Sequence, residues 1–258
     1  MYSREEYQRE LTTKVFGRNL LIYDSLDSTN GYAKTLANTG AQEGTVVIAD
    51  HQTAGRGRCG RTWLDESGSS LLFSVIIRPE INKDKIGLLP FFAAIGVALA
   101  VEKVTGRRCE CKWPNDLLFN GKKFCGILME STSRQNRLEY VIIGIGLNVN
   151  QKNFYGDLEG KATSLSNECC IEFDRKKIFC LVMSSLELLY KKVSRGNFDD
   201  VLMEWKARTT MFGKRIALTQ DAQVIDGMAV TLSADGGLVV DTDTGRRVFF
   251  AGDVTITI

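Results

Sequence analysis

One histidine in 258 residues, with no repeated Cys-x-x-Cys, leaves too few ligands for a tetrahedral zinc site. The seven cysteines are an odd number without regular spacing. They argue against a disulfide framework and fit free thiols in a reducing compartment, Cys109-x-Cys111 and Cys169-Cys170 included. Excess charge is missing too: lysine and arginine total 33 against 31 aspartates and glutamates. A net charge of +2 argues against a broad nucleic-acid or membrane surface, so any cationic work must be local. The apolar stretch Leu88 to Val101 falls short of the roughly 20 residues that span a bilayer. Met1 leads into the charged segment Arg4 to Glu10 instead of an apolar leader, so a cytoplasmic protein without membrane partners is expected. GxxxxGK(S/T) does not occur, and the spacing Gly55-x-Gly57-x-x-Gly60 is by itself only a weak dinucleotide signal. There is no internal repeat and no low-complexity linker.

What is present, 44% hydrophobic and 25% charged residues, suffices for one sizeable core and a small second unit. The first 18 residues read as a short polar helix, followed by a strand at Leu20 to Tyr23. Ser28-Thr29-Asn30 caps a helix whose apolar face is Ala33, Leu36 and Ala37 and which stops at Gly40. Thr45 to Ala49 and Ser70 to Pro79 read as buried strands. Ile86 to Val104 keeps helical period and reads as a central core helix. Asn120-Gly121 marks a two-residue hairpin, and Val141 to Asn150 a further strand. An amphipathic helix starts near Asp174 and ends at Gly196, and a shorter one, about 198 to 208, carries Trp205. Beyond Thr210, short apolar runs separated by Asp226-Gly227, Asp235-Gly236-Gly237 and Thr244-Gly245 indicate a compact all-β unit. The expected organisation is therefore 1–208 and 209–258.

Between the second and third strands lies Gln52-Thr53-Ala54-Gly55-Arg56-Gly57-Arg58-Cys59-Gly60-Arg61-Thr62-Trp63. Its glycines let main-chain N–H groups approach a ligand, and its arginines add three permanent charges with planar donor forks, which suits an anion. Trp63 offers an aromatic face to cover it. A solvated surface loop has the same composition, and the loop alone does not choose between the two.

The pattern Q-x-x-G-R-G-R-x-G-R-x-W closely resembles the adenylate-binding loop of biotin protein ligases, without gap or substitution. Lys112-Trp113-Pro114-Asn115-Asp116, followed by Lys123-x-x-Gly126-Ile127-Leu128-x-Glu130, resembles the second hallmark of that family. Gly144-Ile145-Gly146-Leu147-Asn148-Val149 resembles its third. The resemblance implies an α+β fold, a mixed and mostly antiparallel sheet with packed helices, plus a small C-terminal SH3-like β-barrel. It also implies an ATP-dependent reaction. The biotin carboxylate attacks the α-phosphate to give biotinyl-5′-AMP and pyrophosphate, and a lysine of a biotin carboxyl carrier domain then takes the biotin. Mg2+ would accompany the nucleotide, with no dedicated metal site on the protein.

By the same resemblance, Ser28, Thr29, Asn30 and Gln52 read the biotin ureido ring. Gly55, Arg56, Gly57, Arg58, Lys123 and Gly126 line the rest of the biotin site and hold its carboxylate. Arg58, Trp63, Asn115 and Asn148 border the adenylate, and Arg61 and Lys112 face the departing pyrophosphate. Arg58, Lys123 and Asp116 are the candidate catalytic residues. Asp116 either orients magnesium, accepts a proton from the incoming lysine, or only fixes a neighbouring cation. Some members of the family carry an N-terminal DNA-binding helix-turn-helix, and the short stretch before Leu20 leads to the expectation of a ligase without DNA binding. A lipoate or octanoate transferase shares the fold, but an aliphatic acid has no use for the polar Ser-Thr-Asn and Gln52 set. An RGG-like nucleic-acid binder fits poorly with near-neutral charge and apolar flanking strands.

Overall fold

A computed structural model describes residues 2–135, 137–221 and 223–257. Seven strands form the larger sheet: β1 (Leu20–Leu26), β2 (Val46–Gln52), β3 (Ser70–Ile77), β4 (Glu110–Lys112), β5 (Asp116–Phe119), β6 (Lys122–Arg134) and β7 (Arg137–Asn148). Their order across the sheet is β1-β2-β3-β7-β6-β5-β4. Only the β1–β2 pair is parallel, because α2 (Thr29–Asn38) supplies the crossover that a parallel pair requires. The others are antiparallel neighbours, and β5 and β6 are joined at Asn120-Gly121, both at positive φ, as the hairpin signal requires. β3 is buried on both faces, which explains why its residues are apolar apart from Ser70 and Ser74.

Three helices cover one face of this sheet. α3 (Leu89–Thr105) is the central one. Phe91 meets Trp205 of α6 (Asp199–Lys206) edge-on at 5.1 Å, and α5 (Arg175–Val193) lies along its other side. Its apolar character on every side is thus that of a core helix. α1 (Arg4–Glu10) packs on α5, and the five-residue α4 (Leu165–Cys169) follows β7. A second, five-stranded antiparallel sheet is built from β8 (Arg215–Gln220), β9 (Gln223–Leu232), β10 (Leu238–Thr242), β11 (Gly245–Phe249) and β12 (Asp253–Ile256), in the order β11-β10-β9-β8-β12.

Two local readings needed correction, and one short helix had no expectation to meet. The N-terminal helix is shorter than its polar stretch, because Glu187 of α5 accepts the N–H groups of Lys14, Val15 and Phe16 and holds that segment as a loop. The core helix begins at Leu89 with Pro90 in its first turn, and Lys83–Leu88 is a separate 3-10 turn. α4, capped by Ser164, has too few residues to show a helical period.

Candidate active site

The glycine and arginine loop is a small hairpin standing on the end of β2. The Gly57 N–H donates to Arg61 O at 2.7 Å and the Trp63 N–H to Gly55 O at 2.9 Å, flanking the bridge Arg56–Thr62. In such a ladder the groups of the middle pair point outward, so the Arg56 N–H faces away from its own hairpin. Cys59 and Gly60 make the tip, both with positive φ. Asp65 ties down the loop's base, accepting from the Gln52 N–H at 3.4 Å and pairing with His51 Nδ1 at 2.9 Å. A cavity of about 550 Å³ lies between this hairpin, from Ala54 to Thr62, and Leu128 and Glu130 of β6.

Trp63 reaches back from the hairpin onto the sheet. Gly126 and Gly146 face each other in the β6–β7 register, and a Cβ on either would stand 2.9 Å and 2.6 Å from the indole ring. These two glycines therefore form a seat that no other residue would leave open. The Lys123 ammonium lies 5.7 Å from the centre of the same ring and 2.6 Å from Asp116 Oδ1. Arg58 donates to Asn115 Oδ1 at 3.0 Å and to the Gly252 carbonyl at 3.3 Å, while Asn115 is fixed by its own donation to Ile127 O at 2.5 Å. Arg61 pairs with Asp253 at the start of β12. Lys112 ends β4 opposite Asp116 in register.

Between the start of α2 and the end of β2 lies a set of polar side chains. Ser28 caps α2, and the Thr29 N–H and hydroxyl both reach Gln52 Oε1, at 2.7 and 3.1 Å. The buried Ser74 hydroxyl donates to Asn30 Oδ1 at 2.6 Å and lies 2.8 Å from Thr29 Oγ1. Arg56 crosses to this side, its Nη2 3.0 Å from Glu130 Oε2 and its Nε 3.4 Å from Ser28 Oγ. Asn148 donates to Thr163 O at 3.0 Å. Beside the loop, Asn148 Oδ1 and Trp63 Nε1 are buried without a hydrogen-bond partner, one acceptor and one donor available to a ligand.

The residues proposed from the sequence thus fall into linked groups: Thr29 with Gln52, Arg56 with Ser28, Arg58 with Asn115, and Trp63 over Gly126 beside Lys123 and Asp116. The sequence reading missed Ser74, Glu130, Gly252 and Asp253. Glu130 stands inside a quoted motif, but nothing in the sequence pairs it with Arg56. No group of three or more metal-ligating side chains occurs among the described residues. The nearest carboxylates are already engaged, Asp116 by Lys123, Glu130 by Arg56 and Asp253 by Arg61.

Comparison with known proteins agrees with this arrangement. Residues 22–148 match the biotin/lipoate A/B protein ligase family and residues 211–256 the biotin protein ligase C terminal domain. The bifunctional ligase/repressor BirA of Bacillus subtilis is 35% identical over 256 residues, 98% of this chain and 79% of its own length. The chain belongs to the biotin protein ligase family. Within that family, the biotin–[acetyl-CoA-carboxylase] ligase of Mycobacterium tuberculosis is 31% identical over 96% of this chain and 94% of its own. The biotin protein ligase of Aquifex aeolicus, solved with biotin and ATP, superposes with a TM-score of 0.80 at 30% identity, covering 93% of this chain and 99% of that one. The two sheets and packed helices described above are accordingly the family's fold.

Proposed function

We propose that this chain activates biotin with ATP and transfers it to a lysine of a biotin carboxyl carrier domain in the cytoplasm. The observation that carries the reading is how the polar side chains around the glycine and arginine loop are sorted. Neutral hydrogen-bonding groups stand at the α2 end, and Arg58 and Lys123 stand beyond the Trp63 seat. Such a gradient suits a molecule with a neutral cyclic urea at one end and a carboxylate at the other. Ser28 and Gln52 retain hydrogen-bonding capacity for the urea, because Gln52 commits only its carbonyl oxygen to Thr29.

In the first step a biotin carboxylate oxygen bonds to the α-phosphorus and the bond to the β-phosphate breaks, so pyrophosphate leaves. Two anions must approach each other, and Arg58, Lys123 and the outward N–H of Arg56 stand ready to offset that repulsion without reorganising. Arg61 and Lys112 face the side on which pyrophosphate departs, and Asn115, Asn148 and Trp63 border the adenosine. Magnesium would come with the nucleotide and offset phosphate charge, the carboxylates around the loop being held by cations of the protein. In the second step the carrier amine attacks the acyl carbon and AMP leaves. Asp116, 2.6 Å from Lys123, holds that ammonium in place and is the carboxylate within reach to take the amine's proton.

The test is mass spectrometry of the protein incubated with ATP, a carrier domain and either biotin, lipoate or octanoate. One biotin added to the carrier, dependent on ATP, is expected. Faster modification by octanoate or lipoate overturns the assignment within the family.

A further inference from the structure

Glu130 closes a circuit that the proposed chemistry leaves unused. Its Oε2 accepts from Asn30 Nδ2 at 2.9 Å and from Arg56 Nη2 at 3.0 Å. Asn30 is only 3% exposed and both its amide protons are used, the second donating to Leu128 O at 3.3 Å, while its oxygen accepts from Ser74 at 2.6 Å. A Cβ at Gly144 would stand 2.1 Å from that oxygen, so the glycine on β7 is what admits the side chain. Asn30 thus has no proton left for a ligand and acts as a bracket between α2 and β6. Arg56, bonded to Glu130 and Ser28, is drawn to the same end, whereas Arg58 is drawn to Asn115.

We infer that Glu130 is a positioning residue for the urea-reading end of the cavity: by holding Asn30 and Arg56 together it sets the start of α2 and commits the Arg56 side chain to the head group instead of the carboxylate. The Arg56–Glu130 pair is partly solvated, 44% and 26% exposed at the side chains, so it contributes little to stability and its effect lies in placement. Ser28 and Gln52, which retain hydrogen-bonding capacity, are the groups so placed. This inference rests on the biotin ligase reading and specifies how that site distinguishes a urea from an aliphatic end.

The experiment compares two ligands by calorimetry: biotin, and biotinol, in which a primary alcohol replaces the carboxylate. Glu130→Ala is expected to weaken both by a similar factor, about tenfold, as for a lost charge-assisted hydrogen bond. Glu130→Gln recovers part of the loss, because its amide oxygen still accepts from Asn30. Lys123→Ala, at the opposite end, weakens biotin and leaves biotinol nearly unchanged. In biotin-dependent pyrophosphate exchange the Glu130 variants raise KM and keep kcat. Unchanged biotinol affinity in Glu130→Ala, or a fall in kcat with KM constant, overturns the inference. Should Glu130→Ala not fold, Glu130→Gln carries the test, and loss on biotin alone overturns it equally. If the unaltered protein binds neither ligand, the ligase reading itself has failed.

Discussion

Gly146→Ala gives the sharpest test of the Trp63 seat. The added methyl would stand 2.6 Å from Trp63 Cε2 and 2.7 Å from Cζ2, and its position in β7, between β3 and β6, gives the backbone little room to retreat. Overpacking of this kind costs about 1–3 kcal/mol. Without the clash, alanine in a strand would stabilise by roughly 0.5–1 kcal/mol through the unfolded chain. The indole is therefore the source of the penalty, and Trp63→Ala should remove it. We expect Gly146→Ala to lower stability by about 1–3 kcal/mol in the native background and to be neutral or mildly stabilising beside Trp63→Ala. The coupling should exceed about 1 kcal/mol. Urea titrations of the four proteins of the cycle measure this, and tryptophan fluorescence reports whether the ring leaves its seat. An equal cost in both backgrounds would refute the packing of Trp63 across Gly146.

Gln52→Leu should weaken biotin by about 1–3 kcal/mol while sparing ATP binding measured alone, since it leaves the Thr29 N–H and the urea unpaired; equal loss for both ligands in calorimetry would count against the assignment. Arg58→Gly should still form the adenylate, because Lys123 remains, but release it faster as the ties to Asn115 and Gly252 are lost. Biotin appearing on a bystander protein is the readout, and abolished synthesis without such labelling sinks the idea. Burial pushes the Cys111 thiol up to about 12, so the folded state keeps a proton that the unfolded chain sheds above about 9. That stability is fully present below pH 9 and falls by about 1.4 kcal/mol per pH unit above it; Cys111→Ala should flatten the slope between pH 9 and 11 in denaturant titrations, and an unchanged slope contradicts the burial argument.

The sequence showed most of the fold wherever a short-range rule acts: the Asn120-Gly121 hairpin, the Ser28 cap, and the largely apolar run of β3. It failed where a distant side chain overrides local preference, as when Glu187 captures the N–H groups of residues 14–16. At the site, contiguous motifs exposed the cations and the Ser-Thr-Asn. Ser74 stayed hidden because a serine in a buried strand looks like a minor interruption until its partners on α2 are known. Gly252 and Asp253 stayed hidden because their counterparts lie almost two hundred residues earlier in the chain.

That last pairing has a consequence for how the molecule can be divided. The carbonyl and carboxylate at the entry to β12 grip two arginines of the hairpin. A chimera that exchanged residues 211–256 for a foreign unit of the same fold would inherit its loop setting from the donor's final strand. The glycine and arginine loop and the terminal strand thus constitute one heritable module, although Asp253 lies 192 residues beyond Arg61.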